Sequence, residues 1–189
     1  VSAELEVAVT APADKRAIPH GKQRSIPRDD YDGVSFTPTS GIWQTVWLEA
    51  RGRTYARSVE LRGDSLTGID VAVALAGDAP AGAALTATVQ GTGETVARTA
   101  DRAGRAAGRI ELADPRTWSP EDPHLYRVEV RTGEDRVVAT TGLRRFETRG
   151  EELHLNAERL YIRGVLDQGY WPDTGLTAPD AAALLRDLG

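Results

Sequence analysis

Before residue 150, hydrophobic and polar positions alternate with period two, and turn residues break the alternation at short intervals. That is the pattern of half-buried strands. Leu5, Val7 and Val9 share one face of a first predicted strand. Ser40 to Glu49 reads as a single strand apolar on both sides, with Ile42, Val46 and Leu48 on one face and Trp43 and Trp47 on the other. Such a strand is covered on both faces, so the two tryptophans are expected in a domain interface rather than on a ligand. Further strands are predicted at Val59/Leu61, Ile69/Val71/Val73/Leu75, Leu85/Ala87/Val89, Ile110/Leu112, Tyr126/Val128/Val130 and Val137/Ala139. Gly77-Asp78-Ala79-Pro80 and Gly91-Thr92-Gly93 mark turns between them. About seven short strands over roughly 90–100 residues is the signature of an immunoglobulin-like sandwich. The order of the strands is not readable from the pattern.

Two regions depart from this pattern. Thr10 to Ser40 is irregular and charged, with Pro12, Pro19, Pro27 and Pro38; loops of that length are usually functional or disordered. After Arg149, Leu153-His154-Leu155 and Leu160 to Val165 are predicted as short strands around a turn at Asn156-Ala157-Glu158. Glycine suits the positive φ of a two-residue hairpin turn, so Ala157 predicts another turn geometry. A Pro/Gly loop over 169–175 follows. Thr177-Ala178-Pro179-Asp180 then reads as a helix start with a threonine cap, and Ala181, Leu184, Leu185 and Leu188 form the apolar stripe of that helix. A strand, a loop and a helix make one β/α unit, which cannot bury its faces alone.

Composition narrows the classes. The 189 residues are 40% hydrophobic and 27% charged, with a net charge of −5. No apolar run approaches the roughly 18–20 residues of a spanning helix, and the charge gives no reason to bind nucleic acid or an anionic membrane. Neither partner is expected. With no cysteine, disulfides, thiolate metal sites and a cysteine nucleophile are excluded. His20, His124 and His154 are scattered without ligand spacing, so no metal and no cofactor is expected. Val1-Ser2-Ala3-Glu4-Leu5 has neither the basic start nor the apolar core of a signal peptide. A cytoplasmic location is the expectation, although the lack of cysteine does not choose between cytosol and exterior. The sequence also lacks methionine, and its start is expected to be cut from something longer.

Four segments, in order, carry a family resemblance. They are Pro19-His20-Gly21-Lys22-Gln23; Ser40 to Glu49; Trp118-Ser119-Pro120-Glu121-Asp122-Pro123-His124-Leu125-Tyr126; and Gly142-Leu143-Arg144 with Leu155-Asn156 and Leu160-Tyr161-Ile162-Arg163-Gly164-Val165. Together they resemble family 2 glycoside hydrolases, which include β-galactosidases, β-glucuronidases and β-mannosidases. The resemblance implies a mainly β fold in three parts. Residues 1–53 would end a jelly-roll sugar-binding domain, 54–148 would be the immunoglobulin-like sandwich, and 149–189 would open the catalytic (β/α)8 TIM barrel. Trp118, with Pro120 and Pro123, reads as a plug on the end of the sandwich rather than a sugar platform.

The implied reaction is retaining hydrolysis of a terminal β-linked sugar by two glutamates, one of them directly after an asparagine. Asn156 is the only asparagine here, and Ala157 follows it. The isolated chain is therefore expected to be inactive. Adjacent loop acids, Asp29-Asp30 and Glu151-Glu152, read as solvated surface. Asp167, Gln168 and Trp171 fall at the end of the implied first barrel strand, where barrel enzymes place function. They would line the carbohydrate substrate's mouth, with Trp171 stacking on a sugar ring; alternatively, Asp167 and Gln168 only brace the loop. Many relatives have a histidine where Gln168 stands, and glutamine cannot titrate near neutrality. Apolar surface near Trp43, Trp47, Tyr161 and Leu184 is expected to favour a homo-oligomer. The competing reading is a non-catalytic carbohydrate-binding or adhesion module, since fold does not decide function.

Overall fold

The computed structural model describes residues 4–10, 23, 36 and 38–188. Its elements are β1 (Thr54–Arg62), β2 (Gly68–Gly77), β3 (Ala84–Val89), β4 (Thr95–Thr99), β5 (Arg105–Glu111), β6 (Tyr126–Thr132), β7 (Asp135–Thr141), β8 (Phe146–Arg149), β9 (Glu152–Leu155), β10 (Glu158–Leu160) and α1 (Ala181–Leu188). All ten strands lie in a unit spanning Glu49–Arg163; a second unit joins Val1–Leu48 to Gly164–Gly189.

Seven of the strands form two antiparallel sheets, β1-β2-β5 and β4-β3-β6-β7. The alternation read from the sequence explains why the sheets stack. Ile69, Val71, Val73 and Leu75 of β2 are buried, as are Leu85, Ala87 and Val89 of β3 and Tyr126, Val128 and Val130 of β6. Burying each larger side chain contributes about 1.5–3 kcal/mol. The intervening residues of β2, Asp70, Ala72 and Ala74, take the opposite face. At one edge, the amide of Ala56 in β1 donates to the buried carboxylate of Asp135 in β7 at 2.8 Å. That bond ties the two sheets where no ladder joins them.

The end of the sandwich is closed by the stretch before β6. The Tyr126 hydroxyl accepts a hydrogen bond from the Arg116 amide at 2.7 Å. A tyrosine at the start of this strand bonding back upstream is the tyrosine corner of immunoglobulin-like sandwiches. Trp118 is half-buried against Gly142, where a Cβ would lie 2.9 Å from the Trp118 Cβ. Its amide donates to the Leu143 carbonyl at 2.8 Å, and the Arg144 guanidinium sits 4.8 Å above its ring. Trp118 is thus held as a plug.

The remaining strands form a small antiparallel sheet, β10-β9-β8. Here one expectation is corrected. Leu155 pairs with Glu158, so Asn156-Ala157 is a two-residue loop, and both residues have positive φ, 52° and 72°. This is the type I′ geometry that glycine usually supplies, with alanine held in it. Side-chain bonds fix the turn. The Arg145 amide donates to Asn156 Oδ1 and Asn156 Nδ2 donates to the Trp118 carbonyl, each at 2.9 Å.

Other differences share a physical cause. Ser40 to Glu49, Glu4 to Val9 and Tyr161 to Val165 are not strands. They carry apolar alternation but have no ladder partner among the described residues, and Ile42, Trp43, Trp47, Tyr161 and Val165 are exposed. β4 and β8 were not foreseen, because Thr95–Thr99 and Phe146–Arg149 are short and mostly exposed. The helix starts later than its sequence signal: the Ala183 amide donates to Asp180 Oδ1 at 2.6 Å, so Asp180 is the cap. Thr177 instead donates its hydroxyl to the Trp43 carbonyl at 2.9 Å. Leu184, Leu185 and Leu188 are exposed, and only Ala183 of α1 is buried. The Pro19–Gln23 match and Asp29-Asp30 lie, apart from Gln23, outside the described residues.

Candidate functional site

The three residues singled out by position share one loop, ahead of α1. Asp167 is exposed, and one of its carboxylate oxygens accepts the Gly169 amide at 2.7 Å. This short bond bends the chain at Gly169, whose φ is 61°. Gln168 is exposed and makes no hydrogen bond among the described residues, so its amide is free to donate and accept. Trp171 is half-buried. Its backbone exchanges two hydrogen bonds with Gly175, at 2.8 and 2.9 Å, which closes the loop into a tight turn. Two residues of this neighbourhood were not singled out from the sequence. Tyr170 stacks on Phe36 with ring centroids 4.6 Å apart. The run Gly169-Tyr170-Trp171 was the available signal.

Among the described residues, three carboxyls have displaced titration, and all three are pushed down. The hydrogen bond from Arg116 holds Asp122 low, and those from Arg131 and Arg136 hold Glu129 low. Glu94 is lowered by the Thr92 hydroxyl and by backbone amides. A general acid needs the opposite shift, which keeps its proton near neutral pH. Glu152 pairs with Arg159 at 3.1 Å and lies 3.8 Å from His154. These acids brace the fold. A cavity of about 590 Å³ opens on the outer face of β1-β2-β5. One of its walls is Arg109, already bonded to Asp70, Glu111, Ser65 and Thr67. Among the described residues no cluster of three or more metal-ligating side chains forms, and no helix is long and apolar enough to cross a membrane.

The two-sheet topology and the tyrosine corner class the central unit as an immunoglobulin-like β-sandwich. The chain belongs to the glycosyl hydrolases family 2, whose sequence profile matches residues 50–144, from just before β1 to just past β7. A β-galactosidase of Thermoanaerobacter pseudethanolicus is 26% identical over 162 residues, which cover 78% of this chain and 22% of that protein. The chain thus spans about a fifth of that relative's length. Among solved structures, a Bifidobacterium dentium β-glucuronidase complexed with coumarin-3-O-glucuronide matches 71% of this chain and 24% of its own, at a TM-score of 0.62 and 20% identity. A family 2 β-galacturonidase from Eisenbergiella tayi, bound to glycerol, matches 73% of this chain and 26% of its own, at 0.59 and 21%. At these identities the structural likeness speaks for the fold.

Proposed function

We propose that this chain is an internal part of a retaining glycoside hydrolase that acts on terminal β-linked sugars, with a β-galactoside as the leading substrate. Membership of the family, through the sandwich at residues 50–144, is the observation that carries this reading. In it, residues 1–53 close a jelly-roll sugar-binding domain, 54–148 are the sandwich, and 149–189 begin the catalytic barrel. The sandwich is a spacer that does no chemistry and docks its neighbours. Exposed apolar runs at 42–48 and 161–166, and the exposed leucines of α1, support the reading. Such faces are expected where further structure covers them in the whole protein; left bare, they favour self-association.

Asp167, Gln168 and Trp171 belong to the substrate mouth on this reading. Gln168 offers a hydroxyl-binding amide, and Asp167 keeps one carboxylate oxygen beyond the one that braces the loop. Both catalytic glutamates lie outside these 189 residues, so the isolated chain does not turn over substrate. The test is a panel of aryl β-glycosides (galactoside, glucuronide, mannoside, glucoside) given to the chain and to the full-length protein. Turnover by the full-length protein alone is expected. If neither hydrolyses any member and residues 54–148 alone bind sugar saturably, the chain is a binding module instead.

A further inference from the structure

The loop that carries Asp167, Gln168 and Trp171 is gripped by a segment distant in sequence. The rings of Phe36 and Tyr170 stack, with centroids 4.6 Å apart and planes 29° apart. Thr39 lies against Gly175, where a Cβ would overlap the threonine methyl and where φ is 70°. Thr39 is itself held, its amide and hydroxyl donating to Gln23 Oε1 at 2.8 and 3.3 Å. Thr177 donates to the Trp43 carbonyl. The contacts follow in order, Phe36 to Tyr170, Thr39 to Gly175 and Trp43 to Thr177, so the two segments run side by side.

Phe36, Tyr170 and Trp171 are all half-buried. Phe36 and Tyr170 therefore keep part of their surface open although they stack on each other. Stacking covers one face of each ring, and the surface left open suits an aryl ring in offset-stacked or edge-to-face geometry. The order along the loop separates the chemistry. Asp167 and Gln168, which suit hydroxyl groups, come directly after the 160–165 segment; the aromatic residue lies further out. In a barrel the reacting group sits at the strand end, and the loops form the mouth around what projects from it.

We propose that Phe36 and Tyr170 together form an aromatic wall of the substrate mouth, and that this wall selects substrates whose leaving group carries a flat apolar ring. The proposal rests on the glycosidase reading above. It makes the segment Phe36–Trp43 part of the specificity machinery.

The test uses the full-length protein carrying this chain. Calorimetry measures the binding of phenyl and methyl β-glycosides of the preferred sugar to the wild type, Tyr170→Ala, Phe36→Ala and Tyr170→Phe, and KM and kcat are measured in parallel. Loss of the ring is expected to weaken phenyl glycoside binding about threefold to tenfold, the worth of an aromatic contact. Methyl glycoside binding should weaken clearly less, so that the preference for phenyl over methyl glycoside falls in both alanine variants. Tyr170→Phe should bind like the wild type, because the ring and not the hydroxyl makes the wall. Equal weakening of both glycosides, or of neither, overturns the proposal, as does the absence of any binding. A wild type that prefers phenyl to methyl glycosides through Tyr170 but releases no sugar would sink the glycosidase reading and leave the wall standing.

Discussion

Ala157 sits in a conformation that alanine adopts at a cost, and relieving it should stabilise the protein. Its φ of 72° is left-handed, as is the 52° of Asn156. For an L-residue this region costs about 1–2 kcal/mol through contact of Cβ with the carbonyl oxygen. Glycine escapes that contact but loses about 0.5–1 kcal/mol in backbone entropy on folding. Ala157→Gly should therefore gain about 0.5–1 kcal/mol, or about 1–4 °C in Tm for a chain of this size. The neighbouring substitution supplies the opposite sign. Asn156→Gly relieves little, because asparagine tolerates this region. It deletes the bonds to the Arg145 amide and the Trp118 carbonyl. Two such bonds contribute about 1–3 kcal/mol, so Asn156→Gly should destabilise. Urea unfolding followed by tryptophan fluorescence reads both, and amide exchange at Arg145 reports the turn itself. If Ala157→Gly is neutral or destabilising while Asn156→Gly is harmless, the turn is not the strained, side-chain-anchored hairpin described.

Three further outcomes follow from the sandwich. Asp135→Ala leaves the Ala56 amide buried without its acceptor and should cost about 1–3 kcal/mol in urea unfolding, with Asp135→Asn milder because it keeps an oxygen there. Ile69, fully buried in β2, should cost about 2–5 kcal/mol when cut to alanine. Asp122 is held low chiefly by its hydrogen bond from Arg116. Its contribution is thus present above the ordinary aspartate pKa of about 3.9 and is lost as pH falls through the lower folded value. In Tm measured against pH, the gap between wild type and Asp122→Asn should be open at neutral pH and close in acid; a gap independent of pH would contradict the Arg116–Asp122 pairing.

Sequence reading succeeded where burial on one face writes the period. Ile69 to Leu75 and Tyr126 to Val130 announced β2 and β6 because their inward residues meet the opposite sheet. It failed where the pattern depends on partners. Ile42 to Leu48 alternates as a strand does, yet a strand exists only with a ladder beside it, and none forms there among the described residues. It also failed at Asn156-Ala157, where two side-chain bonds override a local preference for glycine. At the candidate site, Asp167, Gln168 and Trp171 are named by the family resemblance, which implies the end of a first barrel strand just before them. Neither spacing nor composition could reveal that Phe36 stacks on Tyr170, since the two are far apart in sequence and meet only through folding.

The most direct measurement is the release of aryl leaving groups from the β-glycoside panel, run on the full-length protein and on the 189-residue chain purified to homogeneity, with the product anomer followed by NMR. The expected result is hydrolysis with retention by the full-length protein and none by the chain. Turnover by the purified chain would contradict the claim that the catalytic glutamates lie outside it, and would return the search to its own acids.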